Sequence, residues 1–311
     1  MLELDEIQKK KLEEKYIREG YWKGETFSSM LQKCAEAYGE RAALCDGSQC
    51  ISYAAWNRFA DAGASYLQEQ GIKSGDRVIL QIPNSIAFGL ALFSIFRLGA
   101  VPVLALPAHR KNEITSFLRT ASPTAYITVR SHLGFDHAGM AEACTAGIDC
   151  KVILADTIDY QEHLSDDVDF SDNGRTFRDI AVLQVSGGTT NVPKLIPRTN
   201  ADYLYDAATF SEVCNMREDT VFLAAIPASH NFSFANPGII GTLIMVSKLF
   251  DGISDMFFGT MIDKTKSKLG KARPWMLYAY IGCAVTLVAN FAIPASLGRT
   301  AQYAWFFIAY T

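Results

Sequence analysis

Between Val78 and Val185, short apolar runs alternate with segments of helical length, and this alternation constrains the fold more than any other feature of the 311 residues. Val78–Ile82, Val101–Leu106, Ala125–Val129, Val152–Ala155 and Ile180–Val185 are each four to six residues long. Runs so short and so uniformly apolar read as strands buried on both faces rather than as helices. Ile86–Leu98, closed by Gly99, and Glu113–Ala121 have helical length and lie between them. Strand–helix alternation of this kind predicts an α/β fold: a mainly parallel sheet with helices on both faces.

The preceding residues extend the pattern. Leu2–Arg18 mixes Glu, Lys and Leu at helical spacing and reads as a solvated helix, and Phe27–Tyr38 as an amphipathic one. Ala42–Asp46 and Cys50–Tyr53 read as a hairpin around Asp46-Gly47-Ser48, followed by a helix over Tyr53–Gln70 that ends at Gly71. The acidic stretch Asp166–Asp172 reads as a solvated loop. Composition excludes some partners: a net charge of −4 and a pI near 5.8 argue against a nucleic-acid surface. The seven cysteines are odd in number and lack metal-ligand spacing, so no metal site is expected. Cys45 and Cys50 stand apart as a pair with no accompanying His, and reduced thiols of a cytoplasmic protein are the reading. The first twenty residues are charged rather than apolar, and no secretory signal is expected.

Function concentrates in Gln184–Thr199. The strand Ile180–Val185 runs into Ser186, Gly187, Gly188, Thr189 and Thr190, with Lys194 shortly after. Glycines without Cβ let the backbone approach a ligand, and successive N–H groups with added hydroxyls form an anion-holding nest. The Lys194 cation can reach phosphate oxygens. The alternative is a Gly/Thr-rich surface turn. The Walker pattern is absent, because that pattern needs Gly-Lys-Ser/Thr directly before a helix.

The loop resembles the phosphate-binding signature Ser-Gly-Gly-Thr-Thr-x-x-Pro-Lys of the adenylate-forming (acyl/aryl-AMP ligase) superfamily. Gly75-Asp76-Arg77-Val78 and Phe96-Arg97-Leu98-Gly99-Ala100-Val101-Pro102 are similar to the N-terminal domain of that superfamily. Leu106-Pro107-Ala108-His109-Arg110 and Pro227-Ala228-Ser229-His230-Asn231-Phe232 resemble the 2,3-dihydroxybenzoate–AMP ligase branch, which activates aryl acids for siderophores. The resemblance runs from about Leu12 to Gly238. It implies ATP and Mg²⁺, an aryl acid, and transfer of the acyl group to an aryl carrier protein. It also implies that Ser186 to Thr190 and Lys194 grip the pyrophosphate side, that His230 sits over the acid pocket, and that Asn231 bonds a ring hydroxyl. A satisfied core histidine is the other reading of His230. The family's later Tyr-Gly-x-Thr/Ser-Glu segment, ribose-gripping Asp and C-terminal catalytic Lys have no counterpart after Gly238, so no catalytic set is complete and no adenylation is expected.

Composition changes at residue 238. Gly238–Met261 is apolar apart from Lys248, Asp251 and Asp255, and Trp275–Ala295 holds twenty-one uncharged residues, about what spans a bilayer. The basic loop Lys264–Arg273 lies between them. Expected spans are 239–262, 275–295 and the beginning of one at 302–311, with a buried helix as the alternative for Trp275–Ala295. Lys248-Leu-Phe-Asp-Gly-Ile-Ser-Asp255 and Gly270-Lys-Ala-Arg-Pro-Trp-Met-Leu277 resemble glycoside–pentoside–hexuronide:cation symporters of the major facilitator type. That resemblance implies that Asp251 and Asp255, four apart on one helical face, are coupling-cation ligands. The expected domains are therefore 1–238, an incomplete adenylate-forming lobe placed in the cytoplasm, and 239–311, a membrane-inserting symporter segment. The positive-inside rule would force the ligase part across the membrane if Gly238–Met261 spans. Three readings stay open: a ligase by descent, a symporter fragment with an appendage, and a non-functional chimera.

Overall fold

The computed structural model describes residues 6–47, 49–164, 170, 173–185, 194–224 and 226–230. The chain divides into two compact units, Met1–Asn236 and Pro237–Thr311, and every described residue belongs to the first. The expected spans at 239–262, 275–295 and 302–311 lie outside the described residues. Among the described residues no helix is long and apolar enough to cross a membrane.

In order, the elements are α1 (Glu6–Arg18), α2 (Phe27–Tyr38), β1 (Ala42–Asp46), β2 (Gln49–Ser52), α3 (Tyr53–Glu69), β3 (Arg77–Gln81), α4 (Ile86–Leu98) and β4 (Val101–Leu104). There follow α5 (Lys111–Ala121), β5 (Ala125–Thr128), a two-residue pair β6 (Ser131–His132) and β7 (Phe135–Asp136), α6 (His137–Thr145) and β8 (Lys151–Leu154). Last come β9 (Ile180–Val185), β10 (Leu195–Thr199) and α7 (Asn200–Val213). Six strands form one sheet in the order β10-β9-β4-β3-β5-β8. β9, β4, β3, β5 and β8 pair in parallel, and β10 joins antiparallel to β9. The sheet is thus mixed at one edge, where the sequence reading is mainly parallel. Pro197 is admitted because β10 pairs only on its β9 side in this sheet, so a missing N–H breaks no central ladder.

Alternation along the strands distributes side chains to two buried layers. Val78, Leu80, Ala125 and Ile127 face a layer built with Phe27, Leu31, Ala60, Leu92, Phe96 and Tyr203, from α2, α3, α4 and α7. Ile79, Val103 and Tyr126 face the other, built with Ile114, Phe117 and Leu118 of α5 and Ala141 and Cys144 of α6. Both faces are covered, which is why the strands read as unbroken apolar runs.

Helix limits follow from capping chemistry. Thr26, Ser52 and Ser85 side chains accept from the N–H groups of Ser29, Ala55 and Phe88, satisfying donors that the first turns of α2, α3 and α4 leave open. Gly99 closes α4 with φ of 79°, the left-handed geometry a glycine tolerates. α3 and α4 approach closely at Gly63, where a Cβ would stand 1.9 Å from Ser94 Oγ. Further along this contact the buried Arg97 guanidinium binds Asp61 at 2.6 Å and Asn57 at 2.5 Å.

One expectation is corrected. Cys45 and Cys50 form a disulfide, not two reduced thiols. The hairpin register puts them directly opposite each other, with Cα atoms 4.1 Å apart, so the strand pairing itself supplies the proximity.

Candidate functional site

Three adjacent parallel strands end level with one another: Leu80 pairs with Leu104, and Leu104 with Gln184. From β3 the chain leaves toward α4 on one face, and from β4 toward α5 on the other. Neighbouring strands whose connections depart to opposite faces open a crevice at their carboxyl ends, the usual ligand position in open α/β sheets.

Gln81, wholly buried at the end of β3, stands in that crevice. Its side-chain amide donates to the carbonyls of Leu106 at 2.8 Å and His109 at 3.0 Å, and its Oε1 accepts from the Tyr126 hydroxyl. The turn after β4 is thereby fastened to β3. Within the turn, the Leu106 N–H donates to His109 Nδ1 at 3.0 Å, which assigns the neutral ring's proton to Nε2. Burial lowers the His109 pKa, and the charges of Arg110 and His230 press it down further against the opposing pull of Glu113. Arg110 braces the turn from outside: its Nη1 donates to Pro107 and His109 carbonyls, and its guanidinium lies 3.9 Å from the Phe135 ring centroid.

Asn84, three residues beyond Gln81, fastens a second turn. Its Nδ2 donates to the carbonyls of Ala224 at 2.7 Å and Ile226 at 2.8 Å, and its Oδ1 accepts from Ala228 N–H at 2.6 Å. The incoming residues Val221 and Leu223 are almost fully exposed, whereas Ala228 packs against the core and Ser229 is buried. His230 follows, exposed, its N–H donating to the Pro227 carbonyl at 2.9 Å. Ser229 Oγ has no hydrogen-bond partner among the described residues, although its residue is only 5% exposed. A buried hydroxyl left unbonded beside a crevice is a group that a ligand or water would satisfy.

Two of the sequence-predicted residues can be placed. His230 lies on the Asn84-held turn, within range of His109's charge environment. Lys194 is exposed at the entrance to β10, where Leu195 pairs with Val185, the last residue of β9. Ser186, Gly187, Gly188, Thr189 and Thr190 lie outside the described residues. So do Asn231, Asp251 and Asp255. The sequence reading overlooked Gln81 and Asn84. Gln81 carries a signal, a polar residue closing an apolar strand run, which suggests a bond at the strand's exit. Asn84 carries none, because its partners lie 140 to 144 residues away.

The profile of the family described as AMP-binding enzyme matches residues 31–255. The chain belongs to that family. Among curated relatives, pyochelin synthase PchD of Pseudomonas aeruginosa is 40% identical over 235 residues, covering 74% of this chain and 43% of that protein. The 2,3-dihydroxybenzoate-AMP ligase of Bacillus subtilis is 38% identical over 238 residues, covering 75% and 44%. The apo structure of Mycobacterium smegmatis MbtA superposes with a TM-score of 0.65 at 35% identity, over 72% of this chain and 43% of that one. The α/β lobe described above is accordingly the N-terminal lobe of an adenylate-forming ligase. The chain spans less than half the length of the curated relatives it matches. Residues 231–311 match a second profile, MFS/sugar transport protein, which overlaps the AMP-binding match up to residue 255.

Proposed function

We propose that residues 1–238 derive from an aryl-acid–AMP ligase of siderophore biosynthesis and retain its acid-binding crevice. The reading rests on one observation above others: the turn bearing Ser229 and His230 is fastened by Asn84, just past the end of β3, and its buried Ser229 hydroxyl has no hydrogen-bond partner among the described residues. Relatives named for salicylate and 2,3-dihydroxybenzoate support the choice of acid. In the reaction this lineage implies, an acid carboxylate oxygen bonds to the α-phosphorus of ATP, and pyrophosphate leaves with the electrons of the broken P–O bond. Residues Ser186 to Thr190 and Lys194 would hold the departing phosphates, His230 would cover the acid, and Asn231 would bond a ring hydroxyl. Charge stabilisation of this kind carries most of the catalysis in phosphoryl chemistry. The acyl group would pass next to the thiol of an aryl carrier protein. Mg²⁺ finds no group of three acidic, imidazole or thiol ligands among the described residues.

Binding of a hydroxylated aryl acid is the expected behaviour. Calorimetric titration of the full chain tests it: salicylate or 2,3-dihydroxybenzoate should bind at least tenfold more tightly than benzoate, because Asn231 is left unpaired by the unsubstituted ring. Equal affinities would remove the hydroxyl-reading role of Asn231.

A second reading concerns residues 239–311 and is favoured by the transport-protein match. There Asp251 and Asp255 would be cation ligands of a symporter segment, placed in a membrane and joined to the ligase part as a chimera without transport activity. Recovery of the full chain from washed membranes supports insertion, and its recovery in the soluble fraction contradicts it.

A further inference from the structure

Two turns, each bearing a histidine, are bolted to the same strand exit by two amide side chains. Gln81 takes the turn Leu106–His109, and Asn84 takes Ala224 to Ala228. The second bolt is the more consequential, because little else among the described residues fixes the chain it grasps. Val213 is exposed at the end of α7, and Val221, Phe222 and Leu223 are exposed and lie outside any helix or strand. Three hydrogen bonds from one side chain, two donated and one accepted, use the complete bonding capacity of an Asn amide on this one segment, save second lone pairs. Immediately afterwards Ala228 is packed against the core and Ser229 is buried.

We propose that Asn84 is the positioning residue of the acid-binding turn: its side-chain amide fixes where Ser229 and His230 stand at the crevice. It touches neither acid nor nucleotide in this account and acts through the backbone it holds. The bonded pattern also sets polarity, since the two carbonyls require an N–H donor and the Ala228 N–H requires an acceptor. Asp at position 84 would keep the acceptor and lose both donors, while Ala would lose all three bonds. What the turn binds rests on the aryl-acid reading; the clamp rests on the hydrogen bonds alone.

The test uses the full chain and the variants Asn84→Ala and Asn84→Asp. Amide exchange of Ala228 should be at least tenfold faster in Asn84→Ala than in wild type, and within about threefold of wild type in Asn84→Asp, which retains the acceptor. With five histidines in the chain, the imidazole Cε1–H signals can be followed individually. The His230 signal should move or broaden in both variants while that of His163, remote on the Tyr66 side, stays in place. Exchange at Ile79 in the core should be unchanged, which separates loss of the clamp from loss of the fold. Affinity for 2,3-dihydroxybenzoate should fall at least tenfold in Asn84→Ala. Wild-type Ala228 exchange together with a wild-type His230 signal in Asn84→Ala would overturn the proposal. If the wild-type chain takes up no acid, the aryl-acid reading falls, and the exchange and imidazole results still decide the clamp.

Discussion

Gln81 and Leu106 are joined by a 2.8 Å hydrogen bond that ties the exits of two neighbouring parallel strands together across the crevice. The same amide reaches the His109 carbonyl, and the Tyr126 hydroxyl is given to its oxygen. Replacing Gln81 with Leu keeps the volume and removes every one of these partners. The Leu106 carbonyl would keep the His109 N–H and the His109 carbonyl the Arg110 Nη1, so the main loss is the acceptor of the buried Tyr126 hydroxyl, at a cost of about 1–3 kcal/mol. Denaturant unfolding of Gln81→Leu should show that loss with an unchanged m-value.

Gly63 supplies a second test. A methyl group there would meet Ser94 Oγ at 1.9 Å, Ser94 Cβ at 2.6 Å and a Tyr160 ring carbon at 2.9 Å, so α3 and α4 must move apart to admit it. Helix propensity favours alanine, but overpacking of this severity outweighs it, and Gly63→Ala should lose about 3 kcal/mol. A variant as stable as wild type would show that the two helices do not approach this closely.

His137 makes stability depend on pH. Its ring is 1% exposed, and neither nitrogen has a hydrogen-bond partner among the described residues. Burial lowers its pKa, with Arg110 and His132 acting in the same direction and Asp136 opposing them. A depressed histidine pKa means the unfolded chain binds more protons than the folded one. Stability is therefore complete above the unfolded value near 6.5 and is lost as pH falls below it toward the folded-state value. His109, lowered by burial in the same way, adds to the effect. His137→Leu should lose less stability than wild type between pH 7.5 and 5.5, as read from thermal melts. Parallel melting curves for the two proteins over that range would contradict this.

The Cys45–Cys50 bond closes a loop with a sequence separation of 5, so the chain-entropy it removes from the unfolded state is small, about 2 kcal/mol at most. Both cysteines are exposed, which leaves the bond open to attack by a thiol. Treatment with dithiothreitol should add two hydrogens by mass and lower the melting temperature slightly without unfolding the sheet. Unfolding of the whole lobe on reduction would mean that the hairpin contributes far more than its loop.

Most of this fold is legible in the chain because its signals are local. α2, β9 and α4 begin and end where Thr26, the Ile180–Val185 run, Ser85 and Gly99 say they should. Less was visible where local preference is weak. α6, with the sequence HAGMAEACT, has no clear apolar stripe, and β10 contains a proline that only an edge strand accepts. The cysteine pair carries its signal in the hairpin register, which sets Cys45 opposite Cys50, whereas cellular compartment speaks for reduced thiols. His230 could be singled out from a short motif. The residues that place it could not, since Asn84 becomes meaningful only when the fold brings Ala228 beside it. Candidate groups are written locally, whereas the groups that orient them are selected by topology.

On the aryl-acid reading, the acid lies in the crevice beside the turn carrying His230. Nuclear Overhauser contacts between the ring protons of 2,3-dihydroxybenzoate and the imidazole Cε1–H of His230, in the full chain, test it most directly. Such contacts are expected, as is their disappearance in His230→Ala together with weaker binding. Saturable binding with contacts to another part of the lobe and none to His230 would contradict it.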